Sequence, residues 1–376
     1  MTYFWPILAA LFLYTGVQLA LMLPGLPALA SGVLTLVWFA WMLVWHFVYR
    51  AHAAALETRW FAWLAWSGSI AFGVWATFFL LSLPFNIVAA LAEWLAGAQA
   101  HATPAERLGL LAVAMLVSTL GVYRALAGPV VRTVTIPVDN LAAGLEGLTI
   151  AQISDLHVGP TIRRHYVERV VRATMALGAD LIAVTGDLAD GHAERLAADI
   201  EPLRRLSAPL GIFYVTGNHE YYWNAAAWLA AAENLGFRTL VNEHRRLVKG
   251  GASLLVAGVA DSAAAHFIPG HRGDPQAARD GADRADFSLL LAHRPDVCKA
   301  AAAAGYDLQL SGHTHGGQFF PFNLVVRLAH RFHRGLSRHG RMWLYVSPGT
   351  GYWGPPHRFS IPAEITLIRL CRAGNG

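Results

Sequence analysis

Charge is scarce in this chain: only 14% of its 376 residues are charged, 55% are hydrophobic, and mean hydropathy is +0.40. A typical soluble domain carries roughly 25% charged residues, so part of this chain is expected to lie in lipid. Cysteine is nearly absent. Cys298 and Cys371 stand alone, outside any CxxC spacing, which excludes a disulfide framework and a thiolate metal site and leaves both as packing residues. The basic excess is small as well, a formal +5. That suits an anionic membrane surface or a phosphate substrate, and is too little to argue for nucleic acid. No basic stretch precedes the first apolar run, so a cleaved signal peptide is not expected. No internal repeat occurs, and the only biased tracts are alanine-rich helical segments.

What the chain has instead is long apolar runs, confined to its first third. They fall at 3–23, 28–48, 61–83 and 107–127, each near the ~20 residues a helix needs to cross a hydrocarbon core. Trp60, Trp63 and Trp66 open the third, Tyr49 and Arg50 end the second, and Arg124 closes the fourth, as interface anchors do. The stretch 84–106, with Pro84, Asn86, Glu93 and His101, reads as a loop or surface helix, with a re-entrant segment at 87–97 as an option. Four spans make residues 1–130 a transmembrane helical bundle and leave 131–376 as a second domain. Arg50, Arg59, Arg124 and Arg132 place the N-terminus and the second domain on the cytoplasmic side by the positive-inside rule. The expected location is a bacterial inner membrane.

From residue 148 short apolar strands alternate with helical stretches. Strands are predicted at Leu148–Ser154, Leu181–Thr185, Ile212–Thr216, Leu254–Val259, Ser288–Ala292, Leu308–Ser311, Leu344–Ser347 and Ile365–Leu370, and helices over 163–177 and 192–206. This alternation implies an α/β fold with sheet layers covered by helices.

Five of those strands run into polar residues able to hold a metal. The endings are Asp155-Leu156-His157, Gly186-Asp187, Gly217-Asn218-His219-Glu220, His293, and Gly312-His313-Thr314-His315. Ligands bind outside the carboxyl ends of strands in such sheets, so these endings are expected to converge. Imidazole mixed with carboxylate suits Mn, Fe or Zn better than the oxygen-loving Mg or Ca. Seven ligands with one shared carboxylate suffice for two metals about 3.5–4 Å apart, an arrangement that clamps both oxygens of a phosphoryl displacement. Taken singly, Asp155 is as well explained as a helix cap and His293 as a core histidine. Their joint order decides.

That order, D-x-H, G-D-x-x-D, G-N-H-E, H, G-H-T-H, resembles the calcineurin-like metallophosphoesterase superfamily, over roughly 148–370. The resemblance implies a β-sandwich flanked by helices (αββα) and two divalent cations, Mn²⁺ foremost, with Fe or Zn as substitutes. It assigns Asp155, His157 and His315 to the first cation and Asn218, His293 and His313 to the second, with Asp187 bridging. His219 would stand beside the leaving group as the catalytic acid, and Asp190 and Glu220 would be supporting residues. Asp190 is followed by Gly191-His192, which lacks the arginine of the protein serine/threonine phosphatases, so that branch drops.

The C-terminal part points to lipid. Phe319, Phe320 and Phe322 precede a run of His330, Arg331, His333, Arg334, Arg338 and Arg341, aromatics beside cations as on surfaces that dip into a bilayer. The segment Ser347–Arg358 is similar to a bacterial branch of membrane-associated phosphodiesterases related to UDP-2,3-diacylglucosamine pyrophosphatases, in which Arg358 serves either substrate phosphate or structure. The expected partners are the bilayer and a lipid-linked phosphate substrate, with UDP-2,3-diacylglucosamine the specific candidate. A generalist phosphodiesterase on soluble nucleotides is the second reading. A non-catalytic metal-binding sensor is the third.

Overall fold

The computed structural model describes residues 4–52, 59–96, 102–269 and 271–374. The connection at 53–58 and His101 lie outside the described residues. The chain begins with four helices, α1 (Phe4–Met22), α2 (Ala28–His52), α3 (Arg59–Ala96) and α4 (Pro104–Ala127). Of the two readings of the stretch after residue 83, loop or surface helix, the helix is observed as far as Ala96, and it is continuous with the third apolar run through Pro84. Proline removes one intrahelical hydrogen bond, but breaking the helix in an apolar surrounding would strand several more. By length and composition α3 and α4 are able to cross a membrane, with hydropathies of 1.9 and 1.8 over Trp60–Leu95 and Pro104–Ala127. In α1 and α2 the apolar stretches among the described residues are shorter, Ala9–Met22 and Ala28–Trp41, so two of the four expected spans meet that test. A capping box starts α4: Thr103 Oγ1 accepts from Glu106 N–H at 3.2 Å, and Glu106 Oε2 accepts from Thr103 N–H at 2.8 Å. That pairing satisfies two otherwise orphaned donors.

After Gly128 the chain turns directly into β1 (Val130–Val138), and the α/β domain follows. Its elements are β2 (Thr149–Ile153), α5 (Arg164–Met175), β3 (Leu181–Thr185), α6 (Ala193–Ile200), β4 (Ile212–Val215), α7 (Asn218–Tyr222), α8 (Ala225–Asn234) and β5 (Arg238–Thr239). The second half holds β6 (Glu243–Lys249), β7 (Ala252–Gly258), β8 (Phe287–Leu291), α9 (Cys298–Ala303), β9 (Leu308–Ser311), α10 (Phe322–Ala329), β10 (Gly335–His339), β11 (Met342–Val346) and β12 (Glu364–Arg372). Two six-stranded mixed sheets form, ordered β1-β12-β2-β3-β4-β5 and β10-β11-β9-β8-β7-β6. Strands β2, β3, β4 and β5 are mutually parallel, as are β7, β8, β9 and β11. Their carboxyl ends therefore lie along common edges.

The sheets face each other across one apolar layer in which Ile150, Leu181 and Phe213 meet Leu254, Leu289 and Leu308. On the outer faces Val167, Val170, Leu196 and Trp228 of α5, α6 and α8 cover the first sheet, and Cys298 and Ala301 of α9 help cover the second. Burial on both faces explains why β3 reads Leu-Ile-Ala-Val-Thr without alternation. The expected helix–sheet–sheet–helix layering is the observed one.

The helices and the sandwich meet closely around His357. Arg358 N–H donates to the Gly121 carbonyl of α4 at 3.0 Å, and His357 Nε2 lies 3.3 Å from Thr77 Oγ1 of α3. A Cβ on Gly121 would sit 2.1 Å from His357 Nδ1. Gly121→Val is therefore expected to force the two parts apart and destabilise the protein by about 1–3 kcal/mol, the usual penalty of overpacking. The check is a lowered melting temperature in detergent. Gly109→Val, on the same helix with open space around it, should leave melting unchanged.

Candidate metal centre

Strand geometry brings the expected residues together. Asp155 and His157 follow β2, Asp187 follows β3, Asn218 opens α7 after β4, His293 follows β8, and His313 and His315 follow β9. The turns are tight. Asp155, His157, Asp187, His313 and His315 all have positive φ, between 51° and 72°. Left-handed backbone costs a non-glycine residue roughly 1–2 kcal/mol, and such strain persists where the surroundings over-determine it, commonly at functional sites. Glycine is required where backbones crowd: a Cβ on Gly217 would lie 2.2 Å from Asp187 Oδ1, and one on Gly312 2.1 Å from Asp155 Oδ2.

The side chains form overlapping groups. Asp155, His157 and His315 offer donor atoms within 4.8 Å of one another, as do Asp187, His293 and His313, and likewise His157, Asp187 and His219. In the first group His157 Nε2 is 3.1 Å from His315 Nε2, which is 3.5 Å from Asp155 Oδ1. In the second, His293 Nε2 lies 3.2 Å from Asp187 Oδ2. The same Asp187 oxygen is 3.8 Å from His157 Nε2 and 3.8 Å from His219 Nε2. Asp187 thus belongs to two of the three groups and approaches His157 of the third.

The donor set fits divalent cations. Among the described residues Asn218 Oδ1 is buried without a hydrogen-bond partner, a costly state for a polar atom unless a ligand completes it, and His293 Nε2 faces Asp187 Oδ2 at 3.2 Å. His293 donates its Nδ1–H to the Thr185 carbonyl at 2.8 Å, which turns Nε2, the atom with which a neutral ring would hold a metal, toward Asp187. Asp155, Asp187 and Asp190 are all buried, and buried carboxylates require compensating positive charge.

The electrostatics follow from that crowding. Burial raises the Asp155 carboxyl above its ordinary range. For Asp187 and Asp190 burial acts the same way, yet the surrounding histidines win and hold both carboxyls low. Burial alone would lower His219, but Asp187 and Asp190 raise it to about 9. In the same way Asp187 outweighs the burial of His293 and lifts it to about 10. His313 and His315 are pushed down by burial and by neighbouring cationic groups.

Residues around the centre hold it in shape. Glu220 accepts N–H bonds from Asp187 at 3.0 Å, Leu188 at 2.7 Å and Gly217 at 2.6 Å, tying the ends of β3 and β4 together. Asp190 bonds His157 Nδ1 at 3.1 Å and also His219 Nδ1, so it orients two imidazoles rather than serving as decoration of the motif. Arg358 is fully buried and donates to the carbonyls of Pro348 at 2.7 Å and of Gly351 at 3.0 Å, beside His315 Nδ1 at 3.2 Å. It cannot meet substrate phosphate; its role is to shape the loop behind His315. Two contributions escaped the sequence reading. Asp261, buried just beyond β7, holds Arg294 at 3.1 Å; the strand-end rule applied to β7 would have found it. Aromatic rings also rim His219: Tyr222 at 5.1 Å and Trp353 at 5.8 Å, with Phe267 5.6 Å beyond Tyr222. All three are exposed, and only folding brings them to one place.

Comparison with known proteins agrees with this geometry. The family model for calcineurin-like phosphoesterases matches residues 148–317. A metallophosphoesterase of Aquifex aeolicus is 35% identical over 245 residues, 64% of this chain and 91% of that one. The chain belongs to the calcineurin-like metallophosphoesterase family. Relatives named "Transmembrane protein with metallophosphoesterase domain" occur in Danio rerio, 36% identical over 71% of this chain, and in Bos taurus, 38% identical over 69%. The chain spans 62% and 61% of the length of these two vertebrate relatives.

Proposed function

We propose that this chain is a membrane-anchored phosphohydrolase that uses two divalent cations to cleave a phosphodiester or pyrophosphate bond of a lipid-linked substrate. The observation that carries it is the approach of the Asp155–His157–His315 and Asp187–His293–His313 groups, joined where His157 Nε2 comes within 3.8 Å of Asp187 Oδ2; Asn218, with its buried unpartnered Oδ1, is the further donor. When bound, such cations act as Lewis acids and lower the pKa of water. Mixed imidazole and carboxylate donors suit Mn²⁺, Fe or Zn, and Mn²⁺ is the cation proposed first. Within the site His219, whose Nδ1 is bonded to Asp190, would hand a proton to the departing oxygen. Asp190 holds the ring that does so.

The chain divides near residue 130 into a helical anchor and the catalytic domain. Four spans, a bacterial inner membrane and a cytoplasmic catalytic domain complete this reading; membrane association is supported by the two helices long and apolar enough to cross and by the names of the vertebrate relatives, and the orientation by the arginines at the ends of the apolar runs. A lipid-linked substrate is supported by the exposed Tyr222, Trp353 and Phe267 around His219, which offer apolar contact to a leaving group.

The test is mass spectrometry of products from detergent-purified protein with Mn²⁺, offered UDP-2,3-diacylglucosamine and a panel of nucleotide and phospholipid diesters. Release of UMP and lipid phosphate, abolished by chelation and restored by Mn²⁺, is the expected result. Cleavage of soluble diesters with the lipid untouched would remove the lipid assignment. Inertness of the Mn²⁺-loaded protein toward every ester would leave a metal-binding sensor and end the enzymatic reading.

A further inference from the structure

Helix α10 is out of place as a soluble element. It lies seven residues after His315, and none of its residues is buried. Phe322, Leu324, Val325 and Leu328 are all exposed, Leu328 to 90%. At 100° per residue these four and Val326 share one broad arc, while Asn323 and Arg327 fall on the other side. Short helices with an apolar face and flanking cations lie in the plane of a membrane interface. Exposed Arg327, Arg331 and Arg334 supply those cations, each worth ~1 kcal/mol near an anionic leaflet.

Its depth relative to the bundle is fixed by packing. Phe319, at the entry to α10, stacks on His357 with ring centroids 4.3 Å apart. His357 in turn sits against Thr77 of α3 and Gly121 of α4, and α10 itself touches α3. From Pro104 to Gly121 the α4 helix rises about 26 Å at 1.5 Å per residue, close to the ~30 Å thickness of a hydrocarbon core. Through His357, α10 is held beside the bundle at the level of Gly121 in α4 and Thr77 in α3. Continuity with the bundle and the positive charge both select a bilayer surface.

We infer that α10 is an interfacial helix seated in the anionic headgroup layer, which presses the metal centre against the membrane. The link to the centre is short: Gln318, just before α10, donates to the carbonyls of Trp353 at 2.9 Å and Pro355 at 3.0 Å, and Trp353 is the ring beside His219. A substrate phosphate at headgroup depth then meets the site without leaving the bilayer. This inference rests on the membrane-anchored reading.

The experiment uses full-length protein with Cys298 and Cys371 replaced by serine and a single new cysteine, Leu328→Cys or Arg327→Cys, carrying nitrobenzoxadiazole. Each is reconstituted in phosphatidylcholine–phosphatidylglycerol vesicles with or without lipid spin-labelled near the headgroup. Position 328 is expected to lose most of its fluorescence to the quencher, and position 327, on the polar side, much less. A protein that fails to float with the vesicles defeats the anchored reading and the inference with it. A protein that floats while both labels stay unquenched, or with 328 shielded from water yet unquenched, leaves the anchor standing and overturns the seat of α10. A second readout avoids labels. Val325→Glu/Leu328→Glu should lose most activity on a vesicle-borne lipid diester while keeping its activity on bis-p-nitrophenyl phosphate. Equal retention on both substrates overturns the inference.

Discussion

Asp187→Asn is expected to abolish turnover. Its oxygen is the one point shared by the groups around His157, His219 and His293, so weakening it weakens both cation positions together. The loss of Lewis-acid stabilisation is worth several kcal/mol, or at least ~10³-fold in kcat at 1.36 kcal/mol per decade. The substitution keeps the side-chain shape, and Asp187 Oδ1 accepts the His219 N–H at 2.9 Å, a bond that an amide oxygen preserves. The fold should therefore survive, as circular dichroism and melting would show. Calorimetric titration with Mn²⁺ should find the two strong sites of the wild type reduced in number or affinity. A variant that binds two Mn²⁺ normally and turns over at the wild-type rate would remove Asp187 from the bridging position.

His219→Gln should lower kcat by roughly 10²–10⁴, the range for losing a general acid, and leave Mn²⁺ binding intact. Metal retention is the informative part, because His219 also belongs to a group with His157 and Asp187 that is close enough to hold an ion. If the variant loses a cation, His219 is a ligand and the acid must be sought elsewhere. As an acid its loss should matter least for a leaving group that needs no proton, so p-nitrophenyl esters should suffer less than alkyl ones. The pH profile gives an independent reading. An acid works protonated, so activity should fall as pH rises through the pKa of His219 in the metal-loaded protein, where Asp190 on its Nδ1 favours the charged ring. Asp190→Asn removes that negative charge, and the alkaline limb should move to lower pH than in wild type measured with the same metal. An unmoved limb would separate Asp190 from the proton transfer.

The metal donors were legible because each ends an apolar strand, and strands that are parallel in one layer must put such endings along one edge. The family resemblance picked Asp155, His157, Asp187, Asn218, His293, His313 and His315 from among those endings, and the structure brings Asp155, His157, His315, Asp187, His293 and His313 into adjoining groups. Strand β3 was read to the residue, since burial on both faces leaves a continuous apolar run that ends at Thr185. Strand β6, by contrast, reads Glu-His-Arg-Arg-Leu-Val-Lys, too polar to announce itself; it forms because β7 offers a full antiparallel ladder. The continuity of α3 through Pro84 went unread for a related reason: proline's local penalty is visible in sequence, and the surroundings that outweigh it are not.

By itself, then, the sequence determined the chemistry of this protein: which residue types can hold cations, and that they cluster, because period and strand endings are local properties of the chain. Only the tertiary structure decided the roles of Arg358, Asp190 and the aromatic rim. Arg358 could serve phosphate or backbone until its burial against the Pro348 and Gly351 carbonyls assigned it to backbone. Asp190 became the orienting partner of two histidines, and Trp353 came to stand beside His219 across more than a hundred residues of chain. Such contacts depend on how strands and loops pack in three dimensions, and no spacing along the chain encodes them.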